Sequence, residues 1–328
     1  MRYPMRRLIF LGVASGLALL LAAPAQAQLN GSHSLGDFGV QSATQPAPGF
    51  YAALFYLHYS TDTIKDVDGN TIRPAPDAPS SLGLKAFAAP MVWYVSKTKF
   101  LGANYGALVV LPFANASLEA PGFAIANTID TGVADMLVRP IDLGWHTSKA
   151  DVAAGLQIYV PTGRYEPGGS DNLGKGMWTY EPFVGATVYF DEKKTFSLAT
   201  TAYWELHGNK EDSDVKVGQI LSLQGGLGKS FLGGGLIIGA AYYAQWKVTK
   251  DQLREFVLPG GDEIGLDFPN KHKVFGFGPD VTLPIATKSK LFALVNIRYL
   301  WETGARVKTQ GQTLVVTATF PVPSVKLK

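Results

Sequence analysis

Cysteine is absent from this 328-residue chain. That excludes structural disulfides, thiolate metal sites and a lipid anchor on a cleavage-site cysteine. Long apolar runs are almost as scarce. The longest, Leu8 to Leu21, covers about fourteen residues, short of the roughly 18 that a membrane helix needs. Basic runs with interleaved aromatics, of the kind that line nucleic-acid grooves, do not occur, so no nucleic-acid partner is expected. Charged residues make up only 17% of the chain. The formal charge of +3 comes from Arg2, Arg6 and Arg7 at the start; the remainder balances 26 basic against 26 acidic residues.

Reactive constellations are missing too. The five histidines, His33, His58, His146, His207 and His272, are scattered, and none forms a metal pair at helix or strand spacing. No G-x-S-x-G elbow is present. Gly225 to Ser230 imitates a phosphate loop, but the motif needs glycine five residues before Gly228 and finds Leu223. No enzyme activity, metal or organic cofactor is expected.

What the chain does have is a leader followed by a rhythm. Residues 1–27 combine a basic start, a short apolar run and the small-x-small site Ala25-Gln26-Ala27, which reads as a cleavable signal peptide. Residues 28–48 are rich in Gly, Ser, Gln and Pro and show no period. They are expected to form an N-terminal periplasmic or lumen segment. Residues 49–320 then alternate about twelve times between an apolar and a mixed face. In the clearest stretch, Leu236, Ile238, Ala240, Tyr242, Ala244 and Trp246 fall on one face; Gln245 and Lys247 fall on the other. Residues 321–328 form a C-terminal tail.

The links between these segments alternate as well. Short ones (Ser96 to Lys99, Thr147 to Lys149, Asp191 to Lys194, Thr287-Lys288) follow the even-numbered segments. Long ones (61–81, 113–130, 162–175, 249–269) follow most of the odd-numbered segments. A soluble sandwich has no reason to segregate loop length by end. An all-β, antiparallel, twelve-stranded transmembrane barrel does, with short periplasmic turns, longer extracellular loops and both termini on the turn side. Its partner would be outer-membrane lipid, and its location the Gram-negative outer membrane.

If the apolar faces meet lipid, the other faces line a lumen. That parity assigns Tyr56, His58, Lys85, Asp135, Arg139, Glu181, Phe183, Tyr203, Glu205, Tyr243, Lys247, Asp280 and Arg298 to the interior, with Phe292 and Glu302. A charge placed toward lipid costs about 2–4 kcal/mol for Arg or Lys at the midplane, which favours the inward assignment. Parity shifts between Arg139 and Ile141, so a bulge is expected near Pro140. The mixed charges suit either a network that holds the barrel shape or a lining that positions a solute. The inward aromatics suit either packing or stacking on a ring. The link 113–130 carries Phe113, Leu118 and Phe123, an apolar cluster expected to capture solute.

A series of short motifs appears in order. Pro46-Ala47-Pro48-Gly49-Phe50-Tyr51 precedes the first segment. Thr131-Gly132-Val133-Ala134-Asp135 leads to Pro140-Ile141-Asp142-Leu143-Gly144-Trp145. Val160-Pro161-Thr162-Gly163-Arg164-Tyr165 and Glu181-Pro182 follow. This series resembles the family of the meta-pathway of phenol degradation, the SphA-like outer-membrane transporters. The resemblance implies an outer-membrane barrel linked to catabolism of aromatic compounds and carries over no catalytic residues. The expected function is facilitated diffusion of small hydrophobic solutes, aromatic ones foremost. A structural or surface-interaction barrel without transport is the other reading, and an outer-membrane acyl hydrolase a third.

Overall fold

The computed structural model describes residues 30–72, 81–87, 90–120, 125–167, 169–252, 256–257, 263–264, 271–287, 289–323 and 325–326. Twelve antiparallel strands close into a barrel: β1 (Gly49–Thr61), β2 (Pro90–Phe100), β3 (Ala103–Val110), β4 (Met136–His146), β5 (Ala150–Val160), β6 (Thr179–Tyr189), β7 (Phe196–His207), β8 (Ile220–Phe231), β9 (Leu236–Lys247), β10 (Lys273–Ala286), β11 (Lys290–Arg306) and β12 (Gln312–Val322). Closure comes from β1 against β12, where Phe50 opposes Val322 and Ser60 opposes Gln312. Closure leaves these twelve strands no free edge, the condition for crossing hydrocarbon with strands. Among the described residues no helix is long and apolar enough to cross a membrane.

The side-chain period does the sorting. Along β6, Thr179, Glu181, Phe183, Thr187 and Tyr189 are buried inside, whereas Tyr180, Val184 and Val188 are exposed outside. The outer surface is an apolar band. Trp178, Tyr180, Trp204 and Trp301 are exposed near the rim with long loops, and Phe50, Phe190, Phe196 and Phe320 near the rim with short turns. Two aromatic girdles flanking an aliphatic belt are what a bilayer selects.

The turns lie close to the sequence expectation with one clear difference. Ser96 to Lys99 stays inside β2, absorbed by a register shift between Val95 and Lys99. The chain reverses instead at Leu101-Gly102, both with positive φ, 50° and 80°. A two-residue hairpin of that handedness matches the twist of the flanking strands. The expected bulge near Pro140 coincides with a register shift between Val138 and Ile141. There proline has no N–H to give to the ladder.

The expected loop 113–130 is largely strand. Phe113–Ala120 pairs with Ser81–Phe87 on one side and Ile125–Val133 on the other, and Ser81–Phe87 pairs with the upper part of β1. These three segments carry the barrel wall beyond the rim. Their backbone groups pair with each other, which a loop of that length would have left to water.

Candidate functional site: a plugged lumen with two unlike walls

Residues 30–45 run through the lumen rather than outside it. The contacts order them along one wall. Near the loop rim, Ser32 N–H and His33 N–H donate to Glu205 Oε2 at 2.6 and 3.1 Å, and His33 Nδ1 meets Glu181 Oε1 at 2.9 Å. Lower down, Gly36 N–H donates to Gln224 Oε1 at 3.1 Å, and Gln224 Nε2 donates to Asp37. Val40 N–H donates to Asp280 Oδ2 at 2.8 Å. Ser42 Oγ meets Thr201 Oγ1 at 3.0 Å. Near the turn rim, Gln45 Nε2 donates to the carbonyl of Asp142 at 2.9 Å. Pro46 to Pro48 then leads into β1.

Two wall features explain this seat. First, the register places Tyr180 opposite Leu206 and Phe183 opposite Tyr203, so Glu181 faces Glu205 across β6 and β7. Like charges directly opposite repel. The segment supplies His33 to one carboxylate and two N–H groups to the other. Gln157 Nε2 adds a bond to Glu181 at 2.6 Å, and His207 Nε2 lies 3.3 Å from Glu205. Second, Gly226, Gly228 and Gly239 leave a groove on β8 and β9. A Cβ on each would come within 2.9, 2.7 and 2.7 Å of a Val40 methyl. Glycine is required there because the segment's backbone lies against the wall.

Most of the interior positions expected from parity face this segment or the same wall. Asp135, Arg139, Glu181, Phe183, Tyr203, Glu205, Tyr243, Lys247, Asp280 and Arg298 are all buried. Arg139 donates to Gln157 Oε1 at 3.1 and 2.8 Å and lies over the rings of Phe183 and Phe38 at 4.6 and 5.5 Å. Asp135 accepts the N–H groups of Gly163 and Lys175 at 3.1 and 2.7 Å, which folds the loop after β5 over the rim. Ala43 packs with Ala153, Phe183 and Tyr203, and Leu35 against Tyr243 and Leu300.

Three assignments need correction. Tyr56 and His58 lie on the outer face of β1, in register with Val316 and Leu314 and on the same side as exposed Leu54. The inner face of β1 carries Ala53, Leu57 and Tyr59; Tyr59 donates to Glu302 Oε2 at 2.9 Å. Both faces of β1 are apolar and aromatic, so polarity gave no direction. Phe292 is exposed, beside the register shift between Ile285 and Ala286. The backbone of Lys85 pairs with His58, but its side chain lies outside the described residues. Phe113 and Leu118 stand half-buried on the raised hairpin, and Phe123 lies outside the described residues.

The opposite wall is different in kind. Ala53 and Leu57 of β1, Val95 of β2, Leu108 and Val110 of β3, and Val315 of β12 are buried and apolar. Met91, Trp93 and Leu137 pack against Leu108 and Val110. Among the described residues, residues 30–45 make no side-chain hydrogen bond to β1, β2, β3 or β12; their bonds go to β4, β6, β7, β8 and β10. Sequence reasoning missed Gln224 and Thr201 as partners of the segment, and Gln157 as the partner of Glu181 and Arg139. Their inward parity was the available signal. No group of metal-ligating side chains occurs among the described residues.

Comparison with known proteins places this geometry. The family model described as "Putative MetA-pathway of phenol degradation" matches residues 61–318. No curated protein matches the chain. Among solved structures, the COG4313 outer membrane channel from Pseudomonas putida F1 is similar with a TM-score of 0.68 at 13% identity, over 88% of this chain and 99% of that one. The beta domain of the Bordetella autotransporter BrkA is similar at 0.48 and 11% identity, over 84% and 100%. The CymD monoaromatic hydrocarbon channel is similar at 0.41 and 9% identity, over 84% and 89%.

Proposed function

Because the chain belongs to the family of the MetA-pathway of phenol degradation, we propose that it is an outer-membrane channel for small hydrophobic compounds, aromatic ones foremost, gated by its own N-terminal segment. The observation that carries this reading is the asymmetry of the lumen. Residues 30–45 bond to one polar wall, and the wall across from it is apolar. A solute that slides along Leu57, Val95, Leu108, Val110 and Val315 needs only a small lateral shift of the segment. The polar wall keeps the segment oriented while it moves. Each of its hydrogen bonds is worth about 1 kcal/mol net, so bonds are exchanged for water one at a time. Phe113 and Leu118 on the raised hairpin make the first contact with solute.

The family's link to phenol degradation and the likeness in fold to an outer membrane channel support this reading. The filled lumen favours a second one, a closed structural barrel. Two measurements separate them. Intact cells that make the chain should take up labelled toluene faster than cells without it. In planar bilayers, deletion of residues 30–45 should raise single-channel conductance by a factor on the order of 10, since a twelve-stranded barrel without its filling holds water. Equal toluene uptake with and without the chain would overturn transport and favour the closed barrel.

A further inference from the structure

Along β6 to β9, one charge faces the lipid side. Every second residue from Tyr180 to Val188, Phe196 to Leu206, Leu221 to Phe231 and Leu236 to Trp246 points outward, and among these positions Lys229 alone is charged. Its chain neighbours are turned the other way: Ser230 is buried, and Gly228 lies against Val40. Lys229 itself is exposed, two residues from the end of β8 at the turn rim. A lysine on the lipid face is costly at mid-depth and tolerated near the interface, where its stem lies on apolar surface and its ammonium reaches the headgroups.

Register and distance gather an apolar patch around it. Lys229 opposes Phe196 on β7 and Ile238 on β9. Its Nζ lies 5.7 Å from the centre of the Phe231 ring, and the Phe190 and Phe196 rings lie 5.2 Å apart. Phe190, Phe196, Phe231 and Ile238 are exposed. At the tip of the adjoining turn, Leu232 is 79% exposed with a φ of 51°. A left-handed backbone disfavours leucine, and water disfavours its bare side chain; an apolar surrounding removes the second cost. No acid answers Lys229. It forms no ion pair among the described residues. In the turn between β6 and β7, Asp191 is taken by the N–H groups of Thr195 and Phe196, and Glu192 joins no ion pair among the described residues. The counter-charge has to come from outside the chain, and at the depth of an aromatic girdle the anions are lipid phosphates.

We propose that Lys229, framed by Phe190, Phe196, Phe231 and Leu232, binds the phosphodiester of an anionic phospholipid in the leaflet at the turn rim, with the acyl chains lying along Ile238 and Leu227. A net-anionic lipid such as phosphatidylglycerol is favoured over phosphatidylcholine, whose own trimethylammonium group competes for its phosphate. The site is independent of what passes through the lumen.

The chain has no cysteine, so Ala240→Cys takes a single bimane label on the outer face, opposite Leu227 and next below the Lys229–Ile238 pair. The labelled full chain is reconstituted in vesicles of phosphatidylcholine and phosphatidylglycerol, and quenching by the brominated form of each lipid is compared. Phosphatidylglycerol is expected to bind beside the label about fivefold tighter than phosphatidylcholine. Lys229→Gln should bring the ratio near one, and Lys229→Arg should keep it. Heat-dependent gel mobility reports whether each variant folds. If Lys229→Gln does not fold, the label beside the native lysine still decides, since its preference should vanish in about 1 M salt. Equal quenching by the two lipids, a preference that survives the salt, or an unchanged preference in folded Lys229→Gln overturns the site. Competition by free glycerol phosphate would mark a site for soluble phosphate and overturn the lipid as its occupant.

Discussion

The two walls of the lumen make an instructive pair. From β4 through β10 the inner face carries buried charge, and many of its polar groups bond to the N-terminal segment or to a neighbouring strand. Across from it, β1 to β3 and β12 present Ala53, Leu57, Val95, Leu108, Val110 and Val315. Both walls have the same backbone geometry and the same lipid-facing exterior. What differs is which partner satisfies the interior. A wall with buried carboxylates needs a docked chain, because unpaired buried charge is expensive. A wall of methyl groups needs no such partner. In the proposed channel, the opposed carboxylates Glu181 and Glu205 serve as the latch and the aliphatic wall as the track.

The largest effect expected from breaking this contrast is at Glu205. Replacing it with alanine removes the acceptor for Ser32 and His33 and also removes the repulsion with Glu181. The barrel should fold as before, while the upper end of the segment loses about 3 kcal/mol of hold, roughly 100-fold in its displaced population. Single-channel recordings should show long open bursts in Glu205→Ala with unchanged heat-dependent mobility. Recordings identical to wild type would show that the latch lies elsewhere.

A smaller effect is expected at the glycine groove. In Gly228→Val the new side chain occupies the place of the Val40 methyls, which a Cβ already approaches within 2.7 Å. Overpacking of this kind costs about 1–3 kcal/mol. Here the segment yields before the wall does, so the cost appears as shorter closed times. On the track side, Leu57→Ser should leave the closed times alone. It should instead slow toluene uptake at low concentration roughly fivefold, for about 1 kcal/mol of lost apolar contact. If Leu57→Ser alters gating, or Gly228→Val alters only uptake, the division of labour between the walls is wrong.

The same contrast explains how much could be read from sequence. For Glu181, Glu205, Lys247, Asp280 and Arg298 parity alone gave the side, and all five are buried inside. Where both faces were apolar, as in β1, no physical signal chose between them, and Tyr56 and His58 lie outside. The turn at Leu101-Gly102 was hidden because Ser96 to Lys99 is the more polar stretch. Polarity marks exposure, whereas a hairpin of this type needs positive φ. Residues 28–48 have no period because their partners are distant in sequence. The seat of Val40 exists only once Gly226 and Gly228 of β8 lie beside Gly239 of β9.

The smallest effect concerns the turn that joins the two latch strands. Asp191 accepts the N–H of Phe196 at 2.7 Å, the N–H of Thr195 at 2.9 Å and the hydroxyl of Thr195 at 3.0 Å. The bond from Phe196 leads the causes that hold its carboxyl below the ordinary 3.8. A carboxylate whose pKa falls on folding adds stability above its unfolded value and loses it as pH falls through the folded one. Asp191→Ala should therefore be slightly less stable than wild type near neutral pH, read as a lower urea midpoint of unfolding. The gap should close as the pH falls through the folded value, below which the carboxyl is protonated in both states. Asp191→Asn, which keeps one acceptor oxygen, should fall between. The latch is far up the same strands, held by its own bonds to Ser32 and His33, so conductance should not change in either variant. A change in gating would mean that the turn, and not the docked segment, sets the spacing of Glu181 and Glu205. A gap that persists at low pH would mean that Asp191 acts through backbone shape rather than through charge.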